Sequence, residues 1–217
     1  MGMSLSSEQN HAAVDAAVSA INGRFDGSGI EATSVERTSG KHFHFLRITS
    51  TPRHWLGLAK FLRFDLGINY CSMITGTHFP DGDDDRGWEV AYHFMRMPVV
   101  DQLPGQCLEY KAADLTGHDI PLEVEVFIPL AKGDAPSIDS IQMIWKGADW
   151  NEKETWDLVG IDFKGHEDMM RVLNPHDSPI GFHPLQKQHR LRYDGYNEMY
   201  DDAQGFGRKP VDSGLVK

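Results

Sequence analysis

Trp150-Asn151-Glu152-Lys153-Glu154-Thr155-Trp156-Asp157-Leu158-Val159-Gly160-Ile161-Asp162-Phe163-Lys164-Gly165-His166 places two tryptophans, four acids and two glycines within seventeen residues. The run from Trp150 to Val159 contains neither Gly nor Pro, which predicts a short helix capped by Asp149 or Ser137. Spacings of three and four set Trp150, Lys153 and Trp156 or Asp157 on neighbouring faces. The tryptophans are therefore expected on one side, with Glu152, Glu154 and Asp157 spread over the rest. Gly160 supplies a stop, because glycine accepts the left-handed conformation that ends helices. Ile161 and Phe163 then alternate with Asp162 and Lys164. The reading is a helix–turn–strand element that buries its aromatics and presents its carboxylates.

Those acids admit a chemical role. Glu154 and Asp157 stand three apart, with His166, His176 and His183 downstream, as a stand-alone hydrolase or a metal site would need. The spacing departs from the known metal motifs: the sequence holds no His-Glu-x-x-His, and its histidines follow no ligand interval. The plainer expectation is that the acids pair with Lys153, Arg171 or Lys187, within this chain or across an interface.

Upstream, Glu8 to Ile21 predicts a helix in which Ala12, Ala13, Ala16, Ala17 and Ala20 accompany an apolar stripe of Val14, Val18 and Ile21. Gly23 and Gly27-Ser28-Gly29 end it. Ile30 to Arg37 and His42 to Thr49 read as a hairpin, the second strand alternating through Phe43, Phe45 and Arg47. Thr51-Pro52 opens a second helix with threonine as cap, and Trp55, Leu58, Ala59, Leu62 and Leu66 give it a core face. Ile68 to Phe79 and Trp88 to Met97 predict a second hairpin. The acidic link between them lacks the glycine and closing glutamate of a calcium loop, so it reads as a polar turn. Gln106 to Asp114 and Leu122 to Leu130 complete the strands. This order predicts an α+β fold, two layers with the helices on one face of a mixed sheet, followed by an extended C-terminal arm. The chain divides into an α+β domain (1–136), the signature segment (137–187) and a C-terminal docking tail (188–217). The tail carries Tyr193, Tyr196, Tyr200 and Phe206 among glycines and arginines, the composition of an arm that orders on a partner.

A chain of 217 residues suffices for one well-formed core or a domain plus an extension. The net charge of −11 argues against nucleic acid, whose phosphates need a basic face. It also disfavours adhesion to an anionic membrane. No stretch approaches the roughly 18 apolar residues of a spanning helix, so direct membrane insertion is not expected. Met1 to Glu8 lacks a basic start and apolar run, so a secretory signal is not expected either. Cys71 and Cys107 are the only cysteines and cannot hold an iron–sulfur cluster, which usually takes four thiolates. Both are expected as buried free thiols. Neither Gly-x-Gly-x-x-Gly nor a Walker sequence occurs.

The signature resembles that of the thirty-kilodalton subunit of respiratory complex I, the NADH–quinone oxidoreductase. That pattern runs Glu-Arg-Glu, two residues, Asp, then Gly-Ile-x-Phe-x-Gly-His, here Glu152-Lys153-Glu154, Asp157, Gly160-Ile161-Asp162-Phe163-Lys164-Gly165-His166. It continues through Arg171 to Gly181-Phe182-His183-Pro184-Leu185-Gln186-Lys187. Leu66-Gly67-Ile68-Asn69-Tyr70, Trp88 to Phe94, Leu122 to Leu130 and Pro136-Ser137-Ile138-Asp139-Ser140-Ile141 are similar to the family's preceding helix end and strands. The chain departs at Lys153, where the family has arginine, and at Val159, Glu167, Met170 and Gln186. Phe182 is an extra residue, and Pro98 to Pro121 resembles an insertion. These mark a divergent member.

The resemblance implies a non-catalytic structural subunit of the hydrophilic arm. It would support electron transfer to quinone, coupled to ion translocation, by bracing the neighbouring chain that forms the quinone cavity. It implies no catalytic, cofactor-binding or metal residue on this chain, with iron–sulfur clusters, flavin and quinone carried by partner subunits. Trp150, Glu152, Lys153, Glu154, Trp156, Asp157, Gly160, Phe163, Gly165, His166, Arg171, Gly181, His183, Pro184, Leu185 and Lys187 become interface and signature positions. The expected location is the cytoplasmic face of the membrane, within a membrane-bound complex. The equivalent subunit of a related membrane-bound hydrogenase, or of a ferredoxin- or F420-dependent complex, is the alternative, with the hydrolase behind it.

Overall fold

Asn10, Val14, Ala17 and Ile21 recur at intervals of four, three and four residues, and they form the buried stripe of helix α1 (Ser7–Arg24). The computed structural model describes residues 7–37, 43–80, 85–97 and 120–189. Asn10 belongs to this stripe because its Oδ1 accepts the backbone N–H of His44 at 2.7 Å. Gly23 lies inside the last turn, and the turn after Arg24 carries Gly27 and Gly29 at positive φ.

Strands β1 (Glu31–Arg37) and β2 (Phe43–Thr49) form the expected antiparallel hairpin. Helix α2 (Trp55–Phe64) follows, then the antiparallel pair β3 (Tyr70–His78) and β4 (Arg86–Arg96), and β5 (Leu122–Ala131). Sheet order is β1-β2-β5-β4-β3, with β2 and β5 parallel and every other pair antiparallel. The result is the mixed sheet of an α+β fold. The expected strand at Gln106 to Asp114, Cys107, and residues 190–217 of the tail lie outside the described residues.

Period-two alternation decides the sheet's two faces. Val124, Val126 and Ile128 are fully buried, and registered against them stand Leu46, Ile48, Val90, Tyr92 and Phe94, buried on the same face. Trp55 of α2 packs on this face, its ring 4.3 Å from that of Tyr92, and Trp145 lies 4.6 Å from Phe94. Each such side chain contributes about 1.5–3 kcal/mol on burial. The alternation expected through Phe43, Phe45 and Arg47 marks the opposite face. There Phe45 lies under the guanidinium groups of Arg37 and Arg47. Salt bridges Arg37–Glu123 (2.7 Å) and Arg47–Glu125 (2.9 Å) cross the same surface.

Two further expectations change. The α2 N-cap is His54, without a side-chain hydrogen bond, rather than Thr51. A turn over Thr51–His54, closed by His54 N–H to Thr51 O (3.1 Å), delays the helix. The signature helix α3 (Ala148–Val159) starts after Gly147, so neither Asp149 nor Ser137 caps it. Asp149 sits in the first turn, and Ser137 opens strand β6 (Ser137–Asp139).

Strand β6 pairs in parallel with β7 (Asp162–Lys164), and α3 crosses between them. Helix α3 lies against the core face of β3. Its Thr155 Oγ1 donates to Ile74 O at 3.0 Å. A Cβ built on Gly76 would lie 2.7 Å from Ile161 Cδ1, so a larger residue there would push the Ile161 side chain aside. Ile138, Ile141, Trp145, Ala148, Val159, Ile161 and Phe163 join the same buried cluster as the sheet. All the elements from α1 to β7 lie within one compact unit.

Candidate functional site: the signature helix and its strap

Helix α3 buries two of its acids, Glu152 and Asp157, and exposes an aromatic, the reverse of the sequence expectation for those residues. Glu152 and Asp157 are fully buried, while Trp150 is 52% exposed and Trp156 is half-buried. Burying a carboxylate costs several kcal/mol unless donors meet it. Donors from outside the helix meet both, which is why helical spacing alone misplaced them.

Asp157 organises the chain that follows β7. Its Oδ2 accepts the backbone N–H groups of Val172 (3.1 Å), Leu173 (2.9 Å) and Asn174 (2.8 Å). Its Oδ1 accepts Arg171 Nη1 (2.8 Å) and Asn174 Nδ2 (2.9 Å). Burial pushes this carboxyl up. The backbone and side chain of Asn174, the Leu173 N–H and the Arg171 guanidinium outweigh it and hold Asp157 well below the ordinary carboxylate range. Arg171 in turn donates to Phe182 O and Pro179 O, both at 3.0 Å. One buried aspartate and one arginine thus tie residues 171–182 into a strap over α3.

The strap then returns across the helix end. His183 Nδ1 meets Asp157 O at 3.1 Å, and the His183 ring meets Trp156 edge-on at 5.8 Å. Leu185 N–H donates to Leu158 O (2.9 Å), and Gln186 Nε2 to Val159 O (2.9 Å). These fill carbonyls that the helix terminus leaves open. Gly160 carries φ +89°, as expected of a stop, and a Cβ there would lie 2.7 Å from both Gln186 Nε2 and His183 Cδ2. Lys187 enters through its backbone N–H, which donates to His78 Nδ1 at 3.1 Å. Gly181 turns the strap at φ +76°, beside Phe182 and ahead of half-buried Pro184. Phe163 is buried in the core, and Gly165, at φ +82°, turns the chain toward His166.

The other buried acid lies nearer the helix start. Ser140 Oγ–H donates to Glu152 Oε2 (2.6 Å) and Ile141 N–H to Oε1 (2.8 Å). Burial nevertheless pushes Glu152 up to about 7; the Ile141 and Ser140 donors resist, and nearby Asp149 adds to the rise. Lys153 pairs with Asp149 (3.2 Å) and Asp168 (3.5 Å) rather than with its sequence neighbours. Glu154 accepts Trp150 Nε1–H at 2.6 Å on the exposed side. Burial, with Glu152 nearby, pushes the Cys71 thiol up to about 12, an inert state for a thiol.

The arrangement therefore brings Asp157, Arg171, Gly160 and His183 together, and separately Glu152, Lys153 and His166. Glu154, Asp157 and a histidine do not converge on an open reaction site, since donors occupy both Asp157 oxygens. Among the described residues, no group of three or more His, Cys, Asp and Glu side chains is placed to hold a metal ion. No described helix is long and apolar enough to cross a membrane. Sequence reasoning missed Asn174, Ser140, Asp149 and Gln186 as partners. Only Ser140 carried a local signal, two residues before the turn that leads into α3.

Outward, Met143, Trp150, Met170, Leu173, Ile180 and Leu185 are exposed apolar side chains of the signature region. The model of the respiratory-chain NADH dehydrogenase 30 kDa subunit family matches residues 48–195. The corresponding NADH-quinone oxidoreductase subunit of Citrifermentans bemidjiense is 33% identical over 145 residues, 67% of this chain and 74% of that protein. Its namesake from Chloroherpeton thalassium is 33% identical over 150 residues, 67% of this chain but only 51% of its own length. A chain of an archaeal respiratory membrane complex, the membrane-bound sulfane sulfur reductase, shares the fold. Its TM-score is 0.53 at 15% identity, covering 90% of this chain and 93% of that one. Signature, fold and relatives agree: this chain belongs to the family of the 30 kDa subunit of the respiratory-chain NADH dehydrogenase.

Proposed function

We propose that this chain is a non-catalytic subunit of the hydrophilic arm of a complex I-like NADH–quinone oxidoreductase. In this reading α3 and its strap brace the neighbouring quinone-cavity chain. Iron–sulfur clusters, flavin and quinone sit on partner subunits, and the assembly works at the cytoplasmic face of the membrane. One observation carries the reading. Glu152 and Asp157 of the signature point inward as structural anchors, while Trp150, Met170, Leu173, Ile180 and Leu185 point outward. Exposed aromatic and apolar side chains of this kind mark binding surfaces. With donors on both Asp157 oxygens, Glu154 and Asp157 are not a free pair of acids for hydrolysis.

The test is to isolate the native assembly through a tag on this chain and identify its subunits by mass spectrometry. Recovery of NADH-oxidising and quinone-cavity chains supports the reading. Recovery of the chain alone, with hydrolytic activity lost in Glu154→Gln, would favour the hydrolase. Recovery with hydrogenase subunits would move the same scaffold to the related membrane-bound complexes.

A further inference from the structure

One face of the five-stranded sheet packs on the helices, and the other faces outward. A sheet with one covered face ordinarily alternates apolar-in with polar-out. Here the outward positions carry aromatics and methionines as well. Tyr70 and Met73 of β3 are 49% and 48% exposed, registered against Met95 and His93 of β4. Half-buried Phe43 and Phe127 continue the surface on β2 and β5. None of the five strands contains a lysine; their cations are arginines and histidines. Aromatics, methionine and arginine in place of lysine are the composition of a protein interface.

Charge on this face is layered. Arg37 pairs with Glu123, Arg47 with Glu125 and Arg86 with Glu89. In each pair the arginine stands further out: 46% against 27% exposed, 45% against 22%, and 36% against 20%. Rings brace the guanidinium groups, with Arg37 and Arg47 over Phe45, Arg47 also over Phe127, and Arg86 over Phe79. A chain of net charge −11 thus presents cations outermost here. Arg47 and Arg86 flank a cleft of about 510 Å³, lined also by Thr49, Glu89, Phe127 and Pro129. Its arginines match a carboxylate, and its Phe127 and Pro129 match apolar side chains around that carboxylate.

We propose that this open face is a second docking surface. Its occupant is a neighbouring subunit that sets a carboxylate between Arg47 and Arg86 and surrounds it with apolar side chains. The surface rests on the reading of this chain as one subunit of an assembly, and it lies on the side of the sheet away from α3. The pairs Arg37–Glu123 and Arg47–Glu125 hold their guanidinium groups in place before binding, so less side-chain freedom is lost on association. With the signature surface engaged on one side and the open face on the other, the chain is held between two neighbours.

The experiment oxidises surface side chains with hydroxyl radicals, in the free full chain and in the native assembly isolated through a tag on this chain. Tyr70 and Met73 should be oxidised in the free chain and shielded in the assembly. Arg47→Glu should lower the yield of co-purified neighbours about tenfold, the size of one interfacial charge. Thr49→Glu, exposed and lining the cleft, offers the arginines a carboxylate from within the chain and should act in the same direction. It keeps the test open should Arg47→Glu fold poorly. Shielding of Trp150 and Met170 without Tyr70 and Met73 would overturn this surface and leave the signature surface standing. Shielding at neither would remove both. Tyr70 and Met73 already shielded in the free chain, by its own segments or by a second copy, would overturn the neighbouring subunit as occupant. Wild-type yields in both variants would overturn the carboxylate.

Discussion

Asp157 Oδ1 and Arg171 Nη1 lie 2.8 Å apart, with the aspartate fully buried and the arginine side chain 10% exposed. This pair joins the end of α3 to a strap that begins fourteen residues further along the chain. Breaking a buried pair from one side leaves an uncompensated charge and typically costs about 3–5 kcal/mol. Asp157→Ala should lower stability by that order, read by urea denaturation. Proteolysis should then begin within residues 171–187. Asp157→Asn keeps the shape and should cost less. Equal protease resistance in Asp157→Ala and wild type would remove the strap's anchor.

The same aspartate sets an acid limit. Its folded form loses its proton more readily than the unfolded chain does, because bound donors outweigh burial. The stability it contributes is present above the ordinary carboxylate pKa and is lost as pH falls through the lower, folded value. Wild type should therefore lose midpoint temperature in acid more steeply than Asp157→Asn. Parallel curves for the two proteins would show that Asp157 has no such linkage.

Gly160→Ala tests the helix stop. A left-handed conformation costs an L residue roughly 1–2 kcal/mol. The new methyl would also meet Gln186 and His183 at 2.7 Å. The substitution should destabilise by at least that conformational amount and speed hydrogen exchange at the Leu185 amide, which is bound to Leu158 O. Unchanged exchange there would mean the strap accommodates the methyl.

Trp150 and Trp156 should behave differently although both are signature aromatics. Trp150 is 52% exposed, so Trp150→Ala should change the isolated chain's stability by under about 1 kcal/mol. It should still lower the yield of assembled complex, measured by co-purification of neighbouring subunits. Trp156 packs on His183 and lies under Arg171, so Trp156→Ala should destabilise the chain itself. A large stability loss in Trp150→Ala, with assembly intact, would contradict the docking role of that surface.

Much of the architecture was legible because it rests on local periodicity. The stripe of α1, the core face of α2 and the alternation of Val124, Val126 and Ile128 each follow from side-chain direction within one element. Gly160 was legible as a stop because its requirement is set by its own φ. The phase of β2 was not, since Phe45 is buried on the face away from the helices by arginines from two strands.

What the sequence by itself determined, then, are the helices and long strands among the described residues, the α+β class and the family signature; the short strand β6 was read only as the approach to the signature helix. Only the tertiary structure decided what the signature's charges do. Helical spacing states which residues share a face, but whether that face is wet depends on donors brought from elsewhere. Ser140 and Ile141 reach Glu152, and Arg171 and Asn174 reach Asp157, across chain separations of 11 to 17 residues. Those contacts offset the desolvation of two carboxylates, so α3 turns Glu152 and Asp157 inward and leaves Trp150 to the surface.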